Sequence, residues 1–413
     1  MFNCRQMDEQ LTNQNGKFSW RIKSSVFFIL LVSFGCSNDM DIIDTSILTE
    51  LDNVLHSEIK RLQMPGMAVA SVNDEGIAYV KGYGYANVES GLPFNSQTQI
   101  QIASVSKLIV SIAVMQLVES GIINLQTNVN QYLPFQVSSP SFPNEPITLK
   151  MLLTHSSSIN DTEFLFKNFT VYSNQDFPET LNAFLENYLS AEGKYFTIHN
   201  YSNRKPGEQW QYSNIGTSLA ALIVQEVIGM DFNEYCKAHI FIPLAMNHTT
   251  WRYDETSMEN LVIPYAGSSR KTPKYPHKTY PDYPSGHLIS TADDLAKFLF
   301  MLINGGETQD GESIINQTSL NLMMEVHRTD LRLPNPPQAI YNFGPDLNGQ
   351  GLLLFKGELG DYKLWGHTGD DAGVSTELYV DVENQIGYLM LNNRSWAHSP
   401  IIGKALLDYA IKN

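Results

Sequence analysis

The hydrophobic positions of this chain change their spacing as the sequence proceeds. Leu48, Leu51, Leu55, Ile59 and Leu62 recur every three or four residues, which predicts an amphipathic helix over 46–62, broken by Pro65-Gly66. The runs 67–72 and 77–80 are short and apolar, and the Asn73, Asp74 and Gly76 between them predict a tight hairpin. From 108 to 118 the chain is apolar on all sides, which predicts a buried helix, with Gly121 as its stop. Helical spacing continues at 149–153, 181–189 and 215–228. It returns at 295–303, opened by the capping cluster around Ser290, Thr291 and Asp293 and ended by Gly305-Gly306. Strand patterns reappear at 352–355, 363–365, 375–380 and 386–391, before a last helix over 401–411. Strands at both ends with helices between predict an α+β chain whose sheet carries an inserted helical region. The Pro-rich stretches 134–146 and 264–284 read as surface loops, and there is no internal repeat.

With 413 residues, 43% of them hydrophobic and 17% charged, the chain can bury a large interior. Acidic residues outnumber basic ones 43 to 27, for a formal charge of -16, which excludes a nucleic-acid partner. Such a surface is explained by solubility alone. Cys4, Cys36 and Cys236 fit neither a metal spacing nor a disulfide framework. Cys236, among Phe232, Tyr235 and Ile240, reads as a buried, inert thiol. Arg21 and Lys23 precede an apolar run, 26–32, that is too short to span a bilayer and matches a secretory signal. Gly35-Cys36 resembles the end of a bacterial lipoprotein signal. Cys36 is therefore a lipidation candidate, and membrane attachment would follow from it. An exported location, periplasmic or at the cell surface, is the expectation.

Candidate chemistry comes from motifs that are individually cheap. Ser-x-x-Lys occurs four times, at Ser57/Lys60, Ser104/Lys107, Ser202/Lys205 and Ser268/Lys271. The first falls on an exposed helix face and the last two in polar loops. Ser104 alone opens a buried helix, where the helix dipole favours developing negative charge. Lys107, three residues on, shares its face and is forced into apolar surroundings. Burial disfavours an ammonium, which is how a lysine becomes a general base near neutral pH. Ser104 as a simple helix cap with a surface lysine nearby is the bland alternative, and the buried helix argues against it. Tyr-Ser-Asn occurs three times, at Tyr172, Tyr201 and Tyr212. The first two lie in polar loop sequence and read as solvated, whereas Tyr212 precedes a long apolar helix, with Asn214 beside it. His367-Thr368-Gly369 occurs once, after an aromatic strand. On its own, His367 reads as a strand-end histidine with a structural hydrogen bond.

Ser104-Val105-Ser106-Lys107, Tyr212-Ser213-Asn214 and His367-Thr368-Gly369 stand in the order of the serine beta-lactamase and penicillin-binding-protein superfamily. The chain resembles that superfamily from about Leu51 to Ile411, most of all the branch of class C beta-lactamases, D-stereospecific peptidases and related esterases. The stretches Leu152 to Ser158, Pro243-Leu244-Ala245-Met246 and Pro284-Ser285-Gly286-His287 are similar too. The resemblance implies an α+β fold: a mainly antiparallel sheet flanked by N- and C-terminal helices, with an inserted all-helical domain. Together with the signal reading, the expected organisation is a signal at 1–36, a spacer at 37–45 and a catalytic domain at 46–413, its helical subdomain at about 104–285. The resemblance implies a serine hydrolase acting on an ester or amide of a small molecule or peptide, without metal or cofactor. Ser104 would be the nucleophile, and Lys107 and Tyr212 would move its proton. Asn214 would bond Lys107 or the substrate, and His367, Thr368, Gly369 and Asp370 would line the substrate site. The backbone amides of Ser104 and Asp370 would form the oxyanion hole. Two positions depart from the pattern. His367 stands where penicillin-recognising members carry lysine, so a peptidase or esterase ranks above a true beta-lactamase or D,D-peptidase. Ser158 stands where glycine is common, which puts a local turn in question. The rival from another class is a catalytically inactive relative that binds a peptide or partner in the old cleft. Self-association through the Pro-rich loops is neither supported nor opposed by the sequence.

Overall fold

Alternation along one strand sets the layers. In β1 (Gly66–Asn73) every residue is buried, yet Met67 and Val69 join one apolar cluster while Ala68, Ala70 and Val72 join another. Side chains alternate across a strand, so a strand buried on both faces must have cover on both. In the computed structural model, which describes residues 45–266, 273–331 and 345–413, helices supply that cover. The signal at 1–36, Cys36 and the Ser268/Lys271 pair lie outside the described residues.

Among the described residues ten strands are formed: β1, β2 (Gly76–Asn87), β3 (Leu92–Pro93), β4 (Ile100–Gln101), β5 (Ile289–Ser290), β6 (Asp346–Gln350), β7 (Phe355–Leu359), β8 (Tyr362–Asp371), β9 (Val374–Asp381) and β10 (Ile386–Asn392). Eight make one sheet in the order β3-β2-β1-β10-β9-β8-β7-β6, antiparallel at every step. The first and last thirds of the chain therefore meet at its centre, Val69 opposite Met390. β4 and β5 form a separate short pair.

On one face lie α1 (Thr45–Arg61) and α10 (Pro400–Lys412), through Leu51, Leu55, Ile402, Leu406 and Leu407. Each such side chain taken from water stabilises by roughly 1.5–3 kcal/mol. Against the other face packs α8 (Ala292–Ile303), whose cap is Thr291, its side chain accepting the Asp294 amide at 3.1 Å. The remaining helices are α2 (Ser106–Glu119), α3 (Leu149–Leu153), α4 (Glu163–Asn168), α5 (Leu181–Leu189), α6 (Asn214–Ile228), α7 (Phe232–Cys236) and α9 (Gln317–Met323). α2 and α6 pack on each other at the middle of this group, and both are buried nearly all round. That explains their uniformly apolar sequences. The α+β fold with a large antiparallel sheet is as the resemblance implied.

Three local readings are corrected. The strand over 352–355 begins only at Phe355, because Leu353 takes a left-handed φ of 61° and its amide bonds Leu153 O at 2.8 Å instead of a ladder partner. His367-Thr368-Gly369 lies inside β8 and not at a strand end, since β9 continues to pair with it through Asp371. Tyr201 is buried and not solvated, and its hydroxyl donates to Leu189 O at 2.9 Å.

Candidate active site

Ser104 sits in a 3-10 turn, Ala103–Val105, that leads directly into α2. Its approach is constrained from behind. The Ile102 N–H donates to Leu288 O at 2.8 Å, and Thr376 Oγ1 donates to Ile102 O at 2.7 Å. Ala103 then adopts φ 47°, a left-handed conformation rare for a residue with a side chain. Strand β8 passes so close that a Cβ on Gly369 would overlap Thr376 Oγ1 and stand 3.0 Å from Ser104 N. Glycine is what lets the two backbones approach.

Two side chains converge on the Ser104 hydroxyl. Lys107, fully buried in the first turn of α2, places Nζ 3.0 Å from Ser104 Oγ, 2.8 Å from Asn214 Oδ1 and 2.5 Å from Ser285 O. Tyr212, just before α6, donates its hydroxyl to Ser104 Oγ at 2.9 Å, and its ring lies 4.9 Å from Lys107 Nζ. Burial pushes the Lys107 ammonium down to about 7, although the carboxylates of Asp161 and Asp282 partly restore it. Burial raises the Tyr212 phenol far above its ordinary range, so Tyr212 holds its proton. Asp282 is lifted to about 6 by burial and by the neighbouring Asp161.

The loop before α6 is fixed by a part-buried carboxylate that no motif in the sequence marks. Asp161 accepts the amides of Asn214 at 2.6 Å and Ile215 at 3.1 Å, and the Ser213 hydroxyl at 2.9 Å. It satisfies the first turn of α6 and thereby sets where Tyr212 and Asn214 stand. His155, which is buried, accepts the Ser213 amide on Nδ1 at 3.3 Å and stacks on Tyr212 with centroids 4.5 Å apart. Ser158 takes the left-handed turn with φ 68°, and its hydroxyl donates to Arg204 O at 2.6 Å. The turn forms without glycine, held by that bond.

The sequence-predicted residues fall into two groups. Ser104, Lys107, Tyr212 and Asn214 are within one hydrogen-bonded cluster. Ser104, Asn214 and Asp370 line a cleft of about 160 Å³, together with Phe166, Phe169, Lys278, Tyr280, Asp282 and Asp371. His367 is elsewhere: it is buried behind Tyr212 against Phe355, its Nδ1 donates to Thr368 O, and burial holds its pKa down at about 3. Thr368 and Gly369 continue β8 between His367 and Asp370. Ser57 and Lys60 are exposed on α1 and Tyr172 is exposed in a loop. Cys236 is buried, and burial raises its thiol pKa.

Behind Asp370 lies a cluster that the sequence did not suggest. His398, buried just before α10, meets Asp370 through Nε2 at 2.9 Å and Glu377 through Nδ1 at 2.9 Å. Burial alone would depress this imidazole, but the Asp370 and Glu377 carboxylates outweigh it and hold the pKa up at about 10. His398 is therefore a cation clamped between two anions. Its sequence context, Trp396-Ala397-His398-Ser399, has no periodicity or motif that could have flagged it.

Comparison with known proteins finds relatives over most of the chain. The model of the family described as Beta-lactamase matches residues 51–402. Protein flp of Staphylococcus aureus (strain MW2) is 25% identical over 353 residues, which is 85% of this chain and 64% of that protein. The chain thus spans less than two thirds of the length of that relative. Penicillin-binding protein 4* of Bacillus subtilis (strain 168) is 29% identical over 192 residues, 45% of this chain and 38% of that one. Among solved structures, the octameric penicillin-binding protein homologue from Pyrococcus abyssi superposes with a TM-score of 0.66 at 25% identity, covering 87% of this chain and 76% of that one. D-amino acid amidase from Ochrobactrum anthropi SV3 has the same fold, with a TM-score of 0.70 at 21% identity over 89% of this chain and 99% of that one.

Proposed function

Since the chain belongs to the beta-lactamase family, we propose that it is a serine hydrolase that cleaves an ester or amide through an acyl-enzyme on Ser104. The observation behind the proposal is the set of three contacts at Lys107 Nζ. A neutral amine has two N–H bonds and one lone pair. Asn214 Oδ1 and Ser285 O take the two N–H bonds, which leaves the lone pair for the Ser104 proton. With its pKa near 7, Lys107 is neutral often enough to act as that base.

The steps follow from this arrangement. Ser104 Oγ attacks the substrate carbonyl as Lys107 takes its proton. The oxyanion is received by the amides of Ser104 and Asp370, each such donor typically worth ~3 kcal/mol of barrier. Tyr212 then hands its hydroxyl proton to the departing amine or alcohol and is reprotonated from Lys107. Water releases the acyl group by the reverse path. A peptidase, amidase or esterase is favoured over a beta-lactamase or D,D-peptidase because His367 is neutral and buried and offers no cation to a substrate carboxylate. The fold shared with a D-amino acid amidase is compatible with an amide substrate. Export, with membrane attachment through a lipidated Cys36, belongs to the same proposal and rests on residues 21–36 alone.

The test is the intact mass of the protein after exposure to a fluorophosphonate probe, with Ser104→Ala alongside. One adduct, lost in Ser104→Ala, is the expected result. Turnover of a p-nitrophenyl ester and of a chromogenic cephalosporin then separates esterase from lactamase. A folded protein with neither adduct nor turnover would overturn the proposal in favour of a binding role.

A further inference from the structure

The oxyanion of the proposed reaction has to form in a cleft lined by three carboxylates, Asp282, Asp370 and Asp371. Like charges repel: at about 6 Å and an effective dielectric of about 20, one unpaired carboxylate would slow oxyanion formation roughly 100-fold. Asp371 is bridged to Lys278. Asp282 is close enough to Lys107 to act on its charge, and Lys107 becomes a cation as it takes the Ser104 proton. Asp370 is the exposed danger, because the same residue carries the N–H proposed to receive the oxyanion, and its carboxylate stands within its own side chain's reach of that N–H. Its charge is felt among the reacting groups: burial does most to raise the Tyr212 phenol, and the Asp161 and Asp370 carboxylates add to it.

A loop tied on both sides brings His398 to this carboxylate. After β10, Asn392 Nδ2 donates to Ser375 O and to Ala397 O at 3.0 Å each, and the Ala397 amide donates to Ser375 Oγ at 2.9 Å. Between them Trp396 takes a left-handed φ of 57°. The His398 ring then meets both oxygens of Asp370 through Nε2, at 3.0 and 2.9 Å, while Nδ1 meets the buried Glu377 at 2.9 Å. Ser375 Oγ donates to Asp370 Oδ1 at 3.1 Å. Carboxylates only accept, so a ring bonded to one through each nitrogen carries both protons and a full positive charge. We propose that His398 is a positioning residue for the reaction: its imidazolium cancels the charge of Asp370 and holds that carboxylate in place while the Asp370 amide receives the oxyanion. The proposal rests on the serine-hydrolase reading and extends it to a residue outside the cleft.

The test follows the rate of fluorophosphonate labelling of Ser104 against probe concentration and pH, with urea unfolding of each variant alongside. His398→Asn is expected to lower the maximal labelling rate by about 10-fold to 100-fold and to leave the affinity for the probe unchanged. Its acid limb should stay near 7, because Asp161 and Asp282 are the carboxylates that act on Lys107. Asp370→Asn leaves the imidazolium without the charge that it cancels and should label about threefold faster than wild type; this variant tests the proposal even where His398→Asn does not fold. His398→Asn combined with Asp370→Asn should recover most of the rate lost in His398→Asn. Ser399→Ala loses the cap of α10 and the bond to Glu58 without touching Asp370, so it should unfold more easily and yet label at the wild-type rate. Wild-type labelling in His398→Asn, an acid limb that moves, slower labelling in Asp370→Asn, or a double variant that recovers nothing overturns the inference alone and reduces His398 to a structural role. Absence of labelling in the wild type overturns the hydrolase reading and this inference with it.

Discussion

At Lys107, two opposing forces set one number. Full burial strips the ammonium of water, and the Asp161 and Asp282 carboxylates return part of that loss, leaving the group near 7. If Lys107 is the base, kcat/KM for a neutral ester rises about tenfold per pH unit below that value and levels above it. A pH series of ester hydrolysis checks this, and an acid limb at carboxylate pH would remove Lys107 from the role. Gly369 makes a second prediction at this scale. In Gly369→Ala the new methyl collides with Thr376 Oγ1 and Ile102 O, the groups that hold the turn before Ser104. A displacement of about 1 Å at a reacting atom costs on the order of 100-fold. Fluorophosphonate labelling of Gly369→Ala should slow by about that factor while circular dichroism still reports a folded protein. Wild-type labelling would mean that the strand and the serine are not tightly coupled.

Between elements, the decisive device is His398. It joins the end of β8 through Asp370 to β9 through Glu377, and Ser399 beside it caps α10 while donating to Glu58 of α1 at 2.6 Å. Removing the cation leaves the buried Glu377 carboxylate and the part-buried Asp370 carboxylate without their shared partner. His398→Asn is therefore expected to lower stability by ~3–5 kcal/mol, the usual cost of breaking a buried pair on one side. Urea unfolding monitored by tryptophan fluorescence measures it, and a loss under 1 kcal/mol would mean that the cluster is not ionised. Elements were unevenly legible in the sequence. α3 and α5 follow their spacing because each is a local amphipathic run opened by a threonine cap. β6 was not predicted, since Asp346-Leu347-Asn348-Gly349-Gln350 has little apolar alternation and is a strand only because β7 pairs with it.

For the molecule as a whole, buried histidines of opposite kinds and the buried Lys107 shape how stability follows pH. His367 and His287 are held by burial at about 3 and about 4, against about 6.5 when unfolded. Below pH ~6.5 the unfolded chain binds protons that the native chain refuses, so stability falls as pH drops toward 4. His398 works in the other direction. Its folded pKa of about 10 lies above the unfolded value, so its contribution is complete below pH ~6.5 and is lost as pH rises toward 10. Lys107 opposes it: held at about 7 against 10.5 unfolded, it makes the unfolded chain bind a proton that the native chain does not, so stability is gained as pH rises from 7 toward 10. The melting temperature should climb from pH 4 to about 6.5 and then level, and in His398→Asn it should keep climbing above pH 7. A wild-type melting temperature that falls steeply between pH 7 and 9 would contradict this balance.

The sequence by itself determined the longer helices and the central strands, and it singled out Ser104, Lys107, Tyr212 and Asn214. Those readings rest on local causes: spacing of apolar positions, capping residues, and a serine opening a helix too apolar to be exposed. Tertiary structure decided the rest. Asp161, Asp282 and His398 carry ordinary polar contexts in the sequence, and only burial beside Lys107 or Asp370 gives them shifted charges. His367 looked like part of a substrate wall, yet the pairing of β8 with β7 and β9 turns it inward, against Phe355. Charge in a cleft is a sum over residues distant in the chain, and no local pattern records which of them will meet.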